Sequence, residues 1–164
     1  MESPLELKEQ ANVLYRNKEY QEAIDLYEKS AELADDDLKS ICYGNISLCY
    51  YNLEDFEESF EYCEKALAIK ADYVKVRERK IRILLLQGKV KDAKEELEKG
   101  DVAPDLKKEV EEISAKEFEK EKEEMLGKLK DLGNTVLGKF GLSLDSFQVN
   151  KSESGGYNIN FKNN

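Results

Sequence analysis

Apolar residues recur along the first hundred positions at helical spacing, and the pattern itself repeats with a period of about 34. NKEYQEAIDLYEKSAEL (17–33) returns as EDFEESFEYCEKALAI (54–69) and, more weakly, as GKVKDAKEELEKG (88–100). In register, Tyr20 aligns with Phe56 and Val90, Ala23 with Ser59 and Ala93, and Tyr27 with Cys63 and Leu97. A further helical segment precedes each copy, with Leu14, Tyr50 and Leu84 aligned. The pattern predicts three pairs of short helices beginning near Pro4, Ser40 and Val74, each pair joined by a tight polar turn. Small residues at the crossings let backbones approach. One such pair cannot bury its own apolar face, so the pairs must stack.

The flanks extend this all-α prediction. Ser3-Pro4-Leu5-Glu6 reads as a capping box with proline at the first helical position. After Pro104 a long helix is predicted, with Leu106, Val110, Ile113 and Phe118 covering the open end of the stack and EKEKEE beyond them in water. The expected organisation is repeats over 1–104, a capping helix over 105–125 and a tail over 126–164. In the tail, Leu129, Leu132, Val136, Leu137 and Phe140 form a helical apolar face. Phe147 and Val149, then Tyr157, Ile159 and Phe161, alternate with polar residues around SESGG, which predicts a hairpin. A hairpin that short is marginal alone. Leu132, Val136, Leu137, Phe140, Phe147, Tyr157 and Phe161 are therefore candidates to contact a client or partner, with folding back on the repeats as the alternative.

Composition narrows the chemistry. The net charge of −10 argues against nucleic acid and anionic membrane surfaces as partners. No apolar run approaches a bilayer span, and the N-terminus lacks the basic and apolar regions of a signal peptide. Three irregularly spaced cysteines suit a reducing cytoplasm, and Cys42, Cys49 and Cys63 fall where a helix would bury them. The chain has no histidine, the commonest general base and metal ligand, so neither enzyme activity, a metal nor a cofactor is expected. Gly133–Lys139 matches GxxxxGK by letter, but it follows a charged helix and is followed by Phe140, so no phosphate loop is expected. Asp35-Asp36-Asp37 and Glu121–Glu124 read as a solvated turn and a solvated helix face.

One stretch runs against the acidity. YVKVRERKIR (73–82) holds five cations and one anion. In a repeat stack the first helices line the concave side. Lys8 and Asn12 lie one helical turn apart on the first, Asn45 on the next, and Lys75 and Arg79 one turn apart on the third. Together they offer two ammonium groups, a guanidinium fork and two amides, with no carboxylate among them: a receptor for carboxylates. Arg82 extends the basic groove, whereas Arg77 and Lys80 are expected to meet the protein's own carboxylates or solvent.

Residues 4–104 resemble the tetratricopeptide repeat, although the third copy departs from it. Arg77, Lys80 and Gly100 stand where a large apolar, an apolar and a small helix-forming residue are commoner. The five groove positions, in LKEQAN, CYGN and VKVRER, resemble the carboxylate-clamp subclass. That resemblance implies a site for the C-terminal EEVD of Hsp70 or Hsp90. Lys8, Asn12, Asn45 and Lys75 would hold the terminal aspartate's carboxylates, and Arg79 the upstream peptide. DLGNTVLGKFGLSLDSFQVN and GGYNINF resemble the C-terminus of the tetratricopeptide repeat protein 1 family of adaptors and co-chaperones. Members of that family commonly carry a long acidic N-terminal extension; the repeats here begin almost at Met1, so any function of that extension is expected to be absent or to belong to a segment outside this sequence. The implied function is a co-chaperone adaptor. The alternative is a general scaffold, for example for signalling GTPases, acting through the convex face or the tail.

Overall fold

The computed structural model describes residues 2–151 and 157–161, with side chains as far as Gln148. Among these residues the chain forms three helical hairpins, a long helix and a strand pair. The first hairpin pairs α1 (Pro4–Arg16) with α2 (Tyr20–Leu33), the second α3 (Asp36–Asn52) with α4 (Phe56–Ile69), and the third α5 (Val74–Leu86) with α6 (Val90–Leu97). The second helices begin at Tyr20, Phe56 and Val90, the three residues aligned by the repeat. The chain divides after Ser114 into two units, each described by itself.

Local chemistry sets the helix ends. Ser3 and Glu6 form the expected capping box, with Ser3 N donating to Glu6 Oε2 over 2.8 Å. The second hairpin starts earlier than expected, at Asp36, because Asp35 caps α3 by accepting from Leu38 N at 2.9 Å. Asp36 and Asp37 then sit in the first turn, where the helix dipole favours negative charge. The aspartate run is solvated, but it is a helix start as well as a turn. The three intra-hairpin turns are built alike. Glu19 N, Asp55 N and Lys89 N donate to Leu14 O, Tyr50 O and Leu84 O, and the left-handed residue preceding each donor is Lys18, Glu54 or Gly88. Only the third copy uses glycine, the residue without a steric penalty in that conformation.

The crossings pack as the alignment requires. Ala23, Ser59 and Ala93 are fully buried, so the paired helices close on one another over small side chains. Ala11, Ile24, Tyr27, Cys42, Ile46 and Cys49 form the core between the first two hairpins. Ile81, Leu84 and Ala93 form the last core with Leu106 and Val110, which close the third hairpin as expected. Glu78 Oε1 accepts from Ala103 N at 2.8 Å and fixes the entry to the final helix.

That helix differs from expectation in two ways. α7 runs unbroken from Pro104 to Gly138, so the expected boundary at 125/126 falls inside a continuous helix. Phe118, expected in the cap, is 64% exposed. One and a half turns separate Ile113 from Phe118, which swings Phe118 off the face shared by Leu106, Val110 and Ile113. Past α7 a single 3-10 turn (Leu144–Ser146) leads into the predicted hairpin, with β1 (Phe147–Lys151) antiparallel to β2 (Tyr157–Phe161). The register sets Phe147 against Phe161 and Val149 against Ile159. The SESGG loop lies outside the described residues, as do the side chains of Tyr157 and Phe161.

The third hairpin explains its own unusual residues. Arg77 and Lys80 are buried, and both turn toward Glu96, itself buried on α6. Arg77 Nη1 donates to Glu96 Oε1 at 2.6 Å, while Lys80 and Lys99 reach Glu96 Oε2 at 3.1 and 2.9 Å. Lys80 also meets Glu64 at 3.1 Å, and Arg77 Nη2 bonds Ala71 O. A Cβ on Gly100 would stand 3.0 Å from the Arg77 Nε, so glycine there is room made for the guanidinium. Burial pushes the Glu96 carboxyl up, but the bonds from Lys99 and Lys80 outweigh it and hold the pKa below its ordinary 4.5.

Glu96→Gln should destabilise the repeat unit by about 3 kcal/mol in urea unfolding, because it leaves two buried cations without their shared anion. The depressed carboxyl sets the pH dependence. Its contribution is complete above the ordinary carboxylate range and is lost as pH falls through the lower folded value, so the wild type should lose this increment in acid and Glu96→Gln should not. Equal stabilities at neutral pH would remove the network from the account.

Candidate functional site

The five groove positions lie on α1, α3 and α5, and α3 touches both of the others. Arg79 is held in place from two sides: its Nη1 donates to Gly44 O at 2.9 Å and to Ser47 Oγ at 2.5 Å, so the guanidinium spans from α5 to α3 on either side of Asn45. Gly44 also lets Tyr73 and the start of α5 close on α3, since a Cβ there would stand 2.8 Å from the Tyr73 ring and 3.1 Å from Val76. Ser47 in turn donates to Gly44 O at 2.8 Å, closing a small network beneath the arginine.

Asn12 is oriented from below. The buried Tyr27 donates its hydroxyl to Asn12 Oδ1 at 2.6 Å, which takes up the amide oxygen and leaves Nδ2 as the outward donor. Lys8 is mostly covered, its side chain 16% exposed. Asn45 is half-buried and Lys75 exposed, and neither side chain bonds to another described residue. Arg82 is exposed and lines a cavity of about 300 Å³ with Tyr51, Leu85, Leu86, Glu109 and Ile113.

A carboxylate outside the five positions stands beside them. Glu9 Oε1 meets Lys8 Nζ at 2.7 Å, and Glu9 Oε2 accepts from Asn12 Nδ2 at 3.1 Å. The same two contacts hold the Glu9 carboxyl below its ordinary pKa. Glu9 stands in repeat register with Asn45 and Arg79, the signal in the sequence that it too faces the groove. Ser47 and Tyr27, which position Arg79 and Asn12, were invisible as site residues because their spacing is that of core positions.

The cysteines are packing groups. Cys42, Cys49 and Cys63 are free and fully buried, and burial pushes all three thiols up, Cys49 to about 12. No group of three or more His, Cys, Asp or Glu side chains suited to a metal occurs among the described residues. None of their helices is long and apolar enough to cross a membrane.

Stacked helical hairpins with polar side chains gathered on the first helices define a repeat-built interaction module. Residues 5–72 match the tetratricopeptide repeat, and the chain carries a tetratricopeptide repeat domain. Domains of this kind are non-enzymatic protein-interaction modules. Over 89 residues the chain is 38% identical to the mitochondrial import receptor subunit TOM70 of Saccharomyces cerevisiae, spanning 54% of this chain and 14% of that protein. It is 32% identical over 89 residues to the Hsp70/Hsp90 co-chaperone CNS1 of the same yeast, spanning 53% of this chain and 23% of CNS1. The match thus spans less than a quarter of either relative. Among solved structures, the first repeat domain of Spaghetti (RPAP3) bound to the HSP90 peptide SRMEEVD superposes with a TM-score of 0.59. That likeness has 24% identity and covers 69% of this chain and 94% of that one.

The thiols supply a test of this packing. None of the three should react with a thiol reagent in the folded protein at neutral pH, and all three should react in denaturant, since only the thiolate attacks. A fast-reacting thiol in the native state would contradict the buried α3–α4 crossing.

Proposed function

We propose that the chain is a co-chaperone adaptor whose groove holds the C-terminal EEVD of Hsp70 or Hsp90. The observation that carries this is Arg79, fixed by Gly44 O and Ser47 Oγ beside Asn45, with Lys75 one turn away and its side chain without a partner among the described residues. The five positions match the clamp residues of peptide-binding repeats. The similarity to a protein named for Hsp70 and Hsp90, and the likeness to a domain bound to an EEVD peptide, support the same reading. The groove's chemistry is charge recognition. Lys8, Asn12, Asn45 and Lys75 take the carboxylates of the terminal aspartate, Arg79 holds the upstream peptide, and Arg82 extends the basic surface. A short peptide held this way binds at about micromolar affinity, roughly −8 kcal/mol. It weakens with salt, because the contacts are solvent-exposed ion pairs.

Three unpaired cysteines support a cytosolic location, and the tail's resemblance supports membership of the tetratricopeptide repeat protein 1 family. The similarity to an import receptor subunit favours a broader second reading, a general protein-interaction scaffold, in which the groove is secondary.

Titration with EEVD-ending peptides separates the two. Arg79→Ala should weaken binding by about 2–5 kcal/mol and Lys75→Ala by about 1.5–3 kcal/mol, with helicity unchanged. Amidating the peptide's C-terminus should remove most of the affinity. An amidated or internal EEVD that binds as well as the free acid would mean that the groove reads general acidity.

Glu9 yields a separate expectation. In the free protein its carboxylate sits on two of the donors that the peptide needs, so a ligand must displace it. Glu9→Gln should therefore bind the free-acid peptide more tightly than wild type by calorimetry. Equal or weaker binding would show that Glu9 steadies Lys8 rather than competing for it.

A further inference from the structure

The second unit carries a feature that the repeat domain does not use. Along α7, Phe118, Met125, Leu129, Leu132 and Val136 are all more than half exposed, from 52% at Val136 to 64% at Phe118. At 100° per residue they fall within an arc of about 60°. They are one stripe, not scattered surface residues, and a contiguous apolar stripe of this length marks a contact surface.

The spacing says what kind. Positions 118, 125 and 132 form one seven-residue series and 122, 129 and 136 another, interleaved three and four apart. This is the seam of a helix that packs against another helix, knob into hole. Lys122 is its only polar member, and it is drawn aside by Glu119 at 3.1 Å. The turn after α7 uses a neighbouring face: Leu144 packs on Gly133, Leu144 N donates to Asn134 at 2.6 Å, and Lys130 meets Asp145 at 3.0 Å.

The charges select the occupant. Residues 115–124 hold five glutamates and three lysines, whereas 125–140 hold three lysines and one aspartate. The stripe thus runs from an acidic half to a basic half. A second copy laid antiparallel sets each acidic half along a basic one, and a parallel copy sets like against like. We propose that residues 118–136 are a self-association surface through which two copies of this chain pair antiparallel. The proposal does not depend on what the groove binds. It implies an adaptor with two repeat domains per assembly, so that two acidic peptide ends are engaged at once.

Sedimentation equilibrium of the full chain tests it. A reversible species of about twice the 18.9 kDa chain mass is expected. Leu129→Glu with Leu132→Glu should be monomeric at the same concentration while unfolding in urea like wild type, since both side chains are exposed in the single chain. Orientation has its own test. Lys128→Glu/Lys130→Glu and Glu121→Lys/Glu124→Lys should each self-associate more weakly than wild type, and should pair with one another when mixed. A wild-type chain that stays monomeric at high micromolar concentration overturns the proposal. So does a glutamate double variant that still dimerises. A monomer that instead pellets with anionic vesicles overturns it in favour of a membrane surface, and charge variants that gain nothing on mixing overturn the antiparallel arrangement.

Discussion

A buried carboxylate makes the groove's basic wall affordable. α5 carries cations on two sides, and a helix that packs inside a stack cannot leave those on its inner side unpaired. Glu96 meets Arg77, Lys80 and Lys99 together, while Gly100 opens the space in which the Arg77 guanidinium lies. The inward cations thereby have internal partners. Lys75, Arg79 and Arg82 point elsewhere, and none of them forms a salt bridge with a described carboxylate. The charge of YVKVRERKIR is therefore divided by helical phase: one part holds the hairpin together and the other faces the groove. Without Glu96 the same ten residues would oppose the fold that displays them.

The division also shows why a degenerate third repeat still folds. In register, Arg77 replaces the positions of Leu7 and Tyr43, and Glu96 those of Leu26 and Tyr62. The Tyr43–Tyr62 ring pair of the second hairpin gives way to an ion pair in the third. Apolar contact is non-directional, and it tolerates many partners. An ion pair with a fixed fork geometry does not, which limits how α6 can sit on α5.

Much of this was legible in the sequence, and the exceptions are instructive. The three hairpins, their starts at Pro4 and Val74, the capping box at Ser3 and the small residues at the crossings follow from period and local chemistry. The strand pair followed from alternation. α3 starts at Asp36, four residues before the repeat alignment places it, because Asp35 caps the helix where the aspartate run reads only as a turn. α7 continues through Gly127 and Gly133 past the expected boundary, since a glycine costs a helix only about 1 kcal/mol, which a 35-residue helix absorbs. The five groove positions were legible as residue types at repeat spacing. Their support was not, since Tyr27 and Ser47 are indistinguishable in sequence from ordinary core residues until their bonds to Asn12 and Arg79 are seen.

The groove is unevenly prepared for a ligand, and this bears on how it would discriminate. Arg79 and Asn12 are already fixed, so they give up little freedom on binding. Lys75 is exposed and unpartnered, and an exposed lysine loses rotamer entropy when it closes on a carboxylate. Lys8 begins in contact with Glu9, and that contact must be exchanged for a new one. A ligand with a single carboxylate at Arg79 gains only what the fixed guanidinium offers. One with several closely spaced carboxylates, including a terminal one, also displaces Glu9 and orders Lys75. The costs of exchange and ordering would be met only when the whole set is engaged, so on the proposed function selectivity for an acidic chain end over a lone acidic side chain would arise from the groups that are not pre-organised.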